Sequence, residues 1–246
     1  MAARLLLIED DASIARFVEL ALEELPGHDA TAPAVELSLV RCLADARTAL
    51  AAGGWQLVNS DLLLPDGSAE ALLTEGHALA AGAPPWVIFS AGLDEDRHAA
   101  LALHGAARTL RKPVPLAELL GTVAELLRGA AVAPVATAPG DDPVQRHFGG
   151  DRALYESFRA GCIERFADDL AQGDAAMVGA DAAALRRVAH GLKAVLELIG
   201  QPGLAGQART LEKAAAEGAP GQPLPTGWAG LAEGLIALGA RRGPLP

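Results

Sequence analysis

The rhythm of hydrophobic and polar positions changes once along the chain, near residue 129. Before that point, short apolar runs alternate with amphipathic stretches. RLLLIE (4–9), VELSLV (35–40), WQLVNS (55–60), WVIFS (86–90) and ARTLR (107–111) have the length and composition of strands. ASIARFVELALEEL (12–25), LADARTALAAG (43–53), AEALLTEGHALAAG (69–82), DEDRHAALALHG (94–105) and PLAELLGTVAELLRG (115–129) carry a helical period. Five βα units in series predict an α/β domain over residues 1–129, a doubly wound five-stranded parallel sheet with helices on both faces. Its functional loops are expected at the carboxyl ends of the strands.

After residue 129 no strand pattern recurs. GAAVAPVATAPGDDP (129–143) has no amphipathic period, so residues 130–143 read as an Ala/Pro linker. Four helical patterns then follow within residues 144–246: DRALYESFRAGCIERFADDLAQG, DAAALRRVAHGLKAVLELIG, LAGQARTLEKAAAEG and GWAGLAEGLIALG. Short connections between them predict an all-α four-helix bundle.

Composition narrows the partners. A net charge of −11 and a pI near 5.0 argue against nucleic acid or an anionic membrane surface, both of which need a positive footprint. No apolar run has the length of a membrane span, and acids follow the N-terminal leucines at once, so the chain reads as cytoplasmic with protein partners. Cys42 and Cys162 have no metal-ligand or disulfide spacing and read as reduced core residues.

The strand ends hold the chemistry. The first strand runs out into Glu9, Asp10 and Asp11, and the third into Asp61 of DLLLPDG. Neighbouring strands of a parallel sheet bring these acids together, where they repel unless a hard divalent cation such as Mg²⁺ offsets them. Ser90 ends the fourth strand and Lys112 follows the fifth, just before Pro113. A carboxylate nucleophile, a hydroxyl, an ammonium and a divalent cation are the parts that phosphoryl transfer requires.

Residues 3–129 resemble a response-regulator receiver domain. The resemblance rests on the Glu9–Asp10 pair, on Asp61 four residues before Pro65, on Ser90 followed by Ala91, and on Lys112–Pro113, 22 residues after Ser90. It implies a flavodoxin-like sheet with Asp61 as phosphoacceptor. It also implies Mg²⁺ held by Glu9, Asp10, Asp61 and the Leu63 carbonyl, with Ser90 and Lys112 on the phosphoryl oxygens. Asp11 falls just past the pocket and is expected to cap the first helix. LPGHDATAPA (25–34) is an extra loop before the second strand, and Thr109 stands where the family usually carries an aromatic residue. Leu63 and Gly92, at positions that orient attacking water in the family, have no polar side chain.

In the second helical segment of the second half, Leu185, Val188, Ala189, Leu192, Val195, Leu196 and Ile199 form one buried stripe. His190 projects about 160° from its centre, towards solvent. Arg186 and Lys193 lie one turn away, and Gly191 and Ala194 leave room for a partner to approach. The run LRRVAHGLKAVLELIG resembles the histidine-containing phosphotransfer (Hpt) domain over about residues 144–240, with Ala194 where that family favours glycine. The resemblance implies His190 as phosphoacceptor and Lys193 as its electrostatic helper. His28, His77, His98, His104 and His147 read as surface residues.

Together these readings predict a phosphorelay intermediate between an upstream histidine kinase and a downstream response regulator. It is a carrier rather than an enzyme, with at most self-phosphorylation from small donors and autodephosphorylation at Asp61. The alternative is a phosphorylation-controlled interaction switch in which the first domain masks or exposes the Hpt surface.

Overall fold

A computed structural model describes residues 2–92, 95–129, 142–217 and 224–243. Of the expected linker at 130–143, all but Asp142 and Pro143 lies outside the described residues. The chain forms two compact units, residues 1–141 with 145–150, and residues 142–144 with 151–246.

The strands of the first unit are β1 (Ala3–Ile8), β2 (Val35–Val40), β3 (Leu57–Asp61), β4 (Leu63–Leu64), β5 (Gly67–Ser68), β6 (Trp86–Ser90) and β7 (Ala106–Arg111). Five of them form a parallel sheet in the order β2-β1-β3-β6-β7, as the βα alternation predicts, and β4 and β5 make a small antiparallel hairpin. Every residue of β3 and β6 is buried, the mark of central strands covered on both faces, whereas edge strand β2 has none fully buried.

The order reverses beside β1 and β3, which places the ends of these strands at the crevice where such sheets bind ligands. On one face Leu6, Ile8, Val58, Trp86 and Ile88 pack with Leu43 and Ala46 of α3 (Leu43–Ala52), Leu72 of α4 (Glu70–Thr74) and Leu101 of α5 (Glu95–Leu103). Two helices with strong apolar stripes, α1 (Ala12–Glu23) and α6 (Leu116–Arg128), lie against one another and bury Phe17, Val18, Leu119 and Val123.

Three local departures have physical causes. Pro26 has no N–H to continue α1, so the chain restarts as the short α2 (Leu25–His28). The helix of the third segment, α4, stops at Thr74 rather than running to residue 82, and Gly76, at φ 88°, turns the chain away. An unforeseen helix, α7 (Pro143–Phe148), precedes the second unit's long helix. Within the first unit its Phe148 meets Phe17 edge-on, with ring centroids 5.7 Å apart. His147 is therefore not a surface residue. It is 5% exposed, and burial pushes its imidazole down to about 4.

The second unit is a bundle of α8 (Arg152–Val178), α9 (Ala182–Leu198), α10 (Pro202–Glu217) and α11 (Trp228–Ala237), each packed on the next and α11 closing on α8. Leu154, Phe158, Cys162, Phe166 and Leu170 recur every fourth residue on α8 and are all buried. Asp151 and Asp181 cap α8 and α9 through the amides of Leu154 and Ala184, both at 2.9 Å. The Trp228 ring lies directly on Gly173, where a Cβ would overlap it, and its indole N–H donates to buried Asp174 at 2.9 Å. No helix among the described residues is long and apolar enough to cross a membrane.

Candidate functional site

The first site lies at the carboxyl ends of β1, β3, β6 and β7. β1 pairs with β3 so that Ile8 sits opposite Ser60, and the residues that follow, Glu9 and Asp61, emerge side by side. Carboxylate oxygens of Glu9, Asp10 and Asp61 lie within 4.8 Å of one another. Glu9 and Asp61 are almost wholly buried, and Asp10 is half-buried. Lys112, itself buried, places Nζ 2.8 Å from Glu9 Oε2 and 3.0 Å from Asp61 Oδ2.

The electrostatics follow from this packing. Burial raises the Glu9 carboxyl well above the usual range. The Lys112 charge opposes that rise, while Asp61 and Asp11 add to it. Burial and the Asp61 charge likewise raise Asp10. Burial alone would favour neutral Lys112, yet Asp61 and Glu9 outweigh it and hold its proton more tightly than usual. With all four groups ionised, three carboxylates against one ammonium leave the pocket at a formal −2, with oxygen donors only. That is the donor set and charge a hard divalent cation takes, so these residues fit Mg²⁺.

Asp61 is held locally by the Leu62 amide, which donates to its Oδ1 at 2.7 Å. The Leu62 amide also lies 3.1 Å from the Phe89 carbonyl of β6. Leu63 is half-buried in the β4 hairpin. Ser90, 5% exposed, ends β6; its Oγ accepts from the Gly92 amide at 3.3 Å, and its carbonyl accepts from the Lys112 amide at 2.7 Å. A cavity of 320 Å³ opens beside Ser90, with Gly92, Thr109, Arg111 and Glu118 in its wall. Asp11 turns away as the N-cap of α1, its Oδ1 accepting from the Ser13 and Ile14 amides at 2.7 and 3.0 Å.

The second site is on α9. The seven residues of the expected stripe are all buried. His190 is less open than a helical projection of α9 alone implies. Its side chain is 20% exposed because Glu212 of α10 reaches it, with Oε1 2.6 Å from His190 Nδ1. The other Glu212 oxygen accepts from Lys193 Nζ at 2.6 Å. Burial opposes ionisation of Glu212, but the hydrogen bonds and charges of His190 and Lys193 prevail and pull its carboxyl down to about 2. An ionised carboxylate only accepts, so Nδ1 of the neutral imidazole carries the proton and Nε2 keeps the free lone pair. Ala194, expected on the approach side, is instead buried at 5% exposure. Gly191 and Lys193 remain partly open.

Glu212 had no motif to announce it. The available signal was one acid beside the Ala205–Ala208–Leu211–Ala215 seam of α10, facing a helix with a histidine and a lysine one turn apart. Cys162 is a core residue, whereas Cys42 is half-exposed at the start of α3, where its Sγ accepts from the Asp45 amide at 3.5 Å.

No family model and no curated protein matches the chain. Among solved structures it is similar to a CheY-like response regulator receiver domain protein from Methanospirillum hungatei JF-1. That match has 21% identity and a TM-score of 0.46, and covers 52% of this chain and 96% of that one. A two-component response regulator from Clostridium difficile is 20% identical, with 51% and 96% covered and a TM-score of 0.44. The receiver domain of a Francisella response regulator is 20% identical, with 52% and 98% covered and a TM-score of 0.45.

Proposed function

We propose that the chain is a phosphorelay intermediate of a two-component system, located in the cytoplasm. Asp61 accepts a phosphoryl group from an upstream histidine kinase, and His190 exchanges one with the aspartate of a response regulator. The observation that supports this most is the burial of the Asp61 carboxylate against the Lys112 ammonium, within ligand reach of Glu9 and Asp10.

Asp61 attacks the phosphorus of the donor phosphohistidine, the P–N bond breaks, and its electron pair returns to the donor imidazole. Lys112 and the Ser90 hydroxyl meet the charge on the transferring oxygens. Glu9, Asp10, Asp61 and the Leu63 carbonyl would hold Mg²⁺. When bound, the ion offsets the acids' repulsion towards an anionic donor. At the second site Nε2 of His190 attacks the phosphorus of an aspartyl phosphate. The P–O bond to that aspartate breaks, and its electron pair restores the carboxylate. Glu212 holds the Nδ1 proton throughout and balances the positive charge that the phosphorylated imidazole acquires, while Lys193 attracts the anionic group.

The test is labelling of the full chain with radioactive acetyl phosphate. Label is expected on Asp61 only when Mg²⁺ is present, and none on Asp61→Asn. His190→Gln is expected to keep the Asp61 label and to lose all exchange with phosphorylated regulators, where the wild type gains acid-labile phosphate. Equal labelling of Asp61→Asn and wild type overturns the first assignment, and unchanged exchange in His190→Gln overturns the second.

A further inference from the structure

Two loops carry the acids of the first site, and neither is braced by its own residues alone. The turn after β1 holds Glu9 and Asp10, and the end of β3 with the β4 hairpin that follows holds Asp61 and Leu63. A third segment, the turn from β2 into α3, touches both. Arg41 Nη1 donates to the Asp10 carbonyl at 2.9 Å. Asp66 accepts from the Leu43 amide at 2.8 Å and the Ala44 amide at 3.1 Å, supplying the start of α3 with acceptors from the loop after Asp61. The weak sulfur contact of Cys42 is the helix's own cap. Gly67 fits closely over Leu43, where a Cβ would lie 2.9 Å from Leu43 Cδ1, and Leu64 is buried in the same cluster as Leu43.

We infer that Asp66 and Arg41 are positioning residues. Through the β2–α3 turn they fix the separation between the Asp10 turn and the Asp61 loop, and so set the affinity of the acid pocket for a divalent cation. Neither residue belongs to the carboxylate cluster. The inference rests on the proposed cation pocket and adds what governs its geometry. Groups that orient metal ligands from outside commonly change affinity by 10–100-fold when removed.

The experiment titrates MgCl₂ into the unphosphorylated full chain by calorimetry, and follows Cys42 reactivity with a thiol reagent, since Cys162 is fully buried. Asp66→Ala is expected to raise the Mg²⁺ Kd about tenfold and to speed Cys42 modification as the start of α3 loosens. Asp66→Asn keeps an acceptor oxygen and is expected to stay within about threefold of wild type. Arg41→Met keeps the stem, removes the donor, and is expected to weaken Mg²⁺ severalfold even if Asp66→Ala fails to fold. Wild-type Kd in both Asp66→Ala and Arg41→Met, with Cys42 more reactive in the former, overturns the inference and leaves the pocket standing. A wild-type chain that binds no Mg²⁺ overturns the pocket and the inference together.

Discussion

Replacing Glu212 by glutamine tests whether its carboxylate is as firmly engaged as its contacts suggest. The carboxyl falls from an ordinary 4.5 to about 2 in the folded chain through His190 and Lys193. A depressed folded-state value means that ionised Glu212 stabilises the bundle above pH 4.5, and that this contribution fades as pH falls through about 2. At about 1.36 kcal/mol per pH unit the full contribution is about 3 kcal/mol, of which about 2 kcal/mol is gone by pH 3. The side chain is only 16% exposed, so solvent screening takes little from it. Urea unfolding of wild type and Glu212→Gln at intervals between pH 6 and pH 2.5 gives two stability curves whose difference removes the other titrating groups. Their gap is expected to close by about 2–3 kcal/mol across that range. Curves that run parallel would mean that Glu212 does not titrate against these partners, and the argument for the Nδ1 proton on His190 would fall with them.

Gly173→Ala is expected to cost about 1–3 kcal/mol in thermal or urea unfolding, because the new methyl overlaps the Trp228 ring and forces repacking. An unchanged midpoint would show that the ring moves freely. Asn59 is fully buried on β3, and neither polar atom of its side chain has a hydrogen-bond partner among the described residues. Asn59→Val is expected to stabilise the fold by up to about 1–3 kcal/mol of relieved desolvation, read as a higher melting temperature; a lower one would point to a bridging water. Phosphorylated Asp61 in a chain ending at residue 129 is expected to decay slowly, since neither Leu63 nor Gly92 offers a polar side chain to hold water in line. A half-life of seconds would refute that.

The sheet was legible because its signals are local. A run such as WVIFS declares a buried strand by composition, and the residue at its end, Ser90, takes its place at the carboxyl end of the sheet automatically. Asp61 and Lys112 are placed by the same logic, each at or just past the end of a strand. What stayed hidden depends on a second element. The projection of α9 gave the buried stripe correctly but left His190 open, because the covering acid comes from α10, 22 residues further on. His147 passed for a surface residue because α7 is too short to show a period. Asp66 and Arg41 act across loops whose pairing no periodicity encodes.

The shared carboxylate of Glu212 has a bearing on what can be transplanted. A synthetic peptide copying residues 182–200 would reproduce the whole histidine run, yet lack the acid that fixes the imidazole's proton and tethers the lysine. It would also be short enough to fray in water. The least fragment that preserves the arrangement is the α9–α10 hairpin with its register intact. Any graft onto another scaffold must carry two helices and the turn at Ile199–Gln201 as one piece.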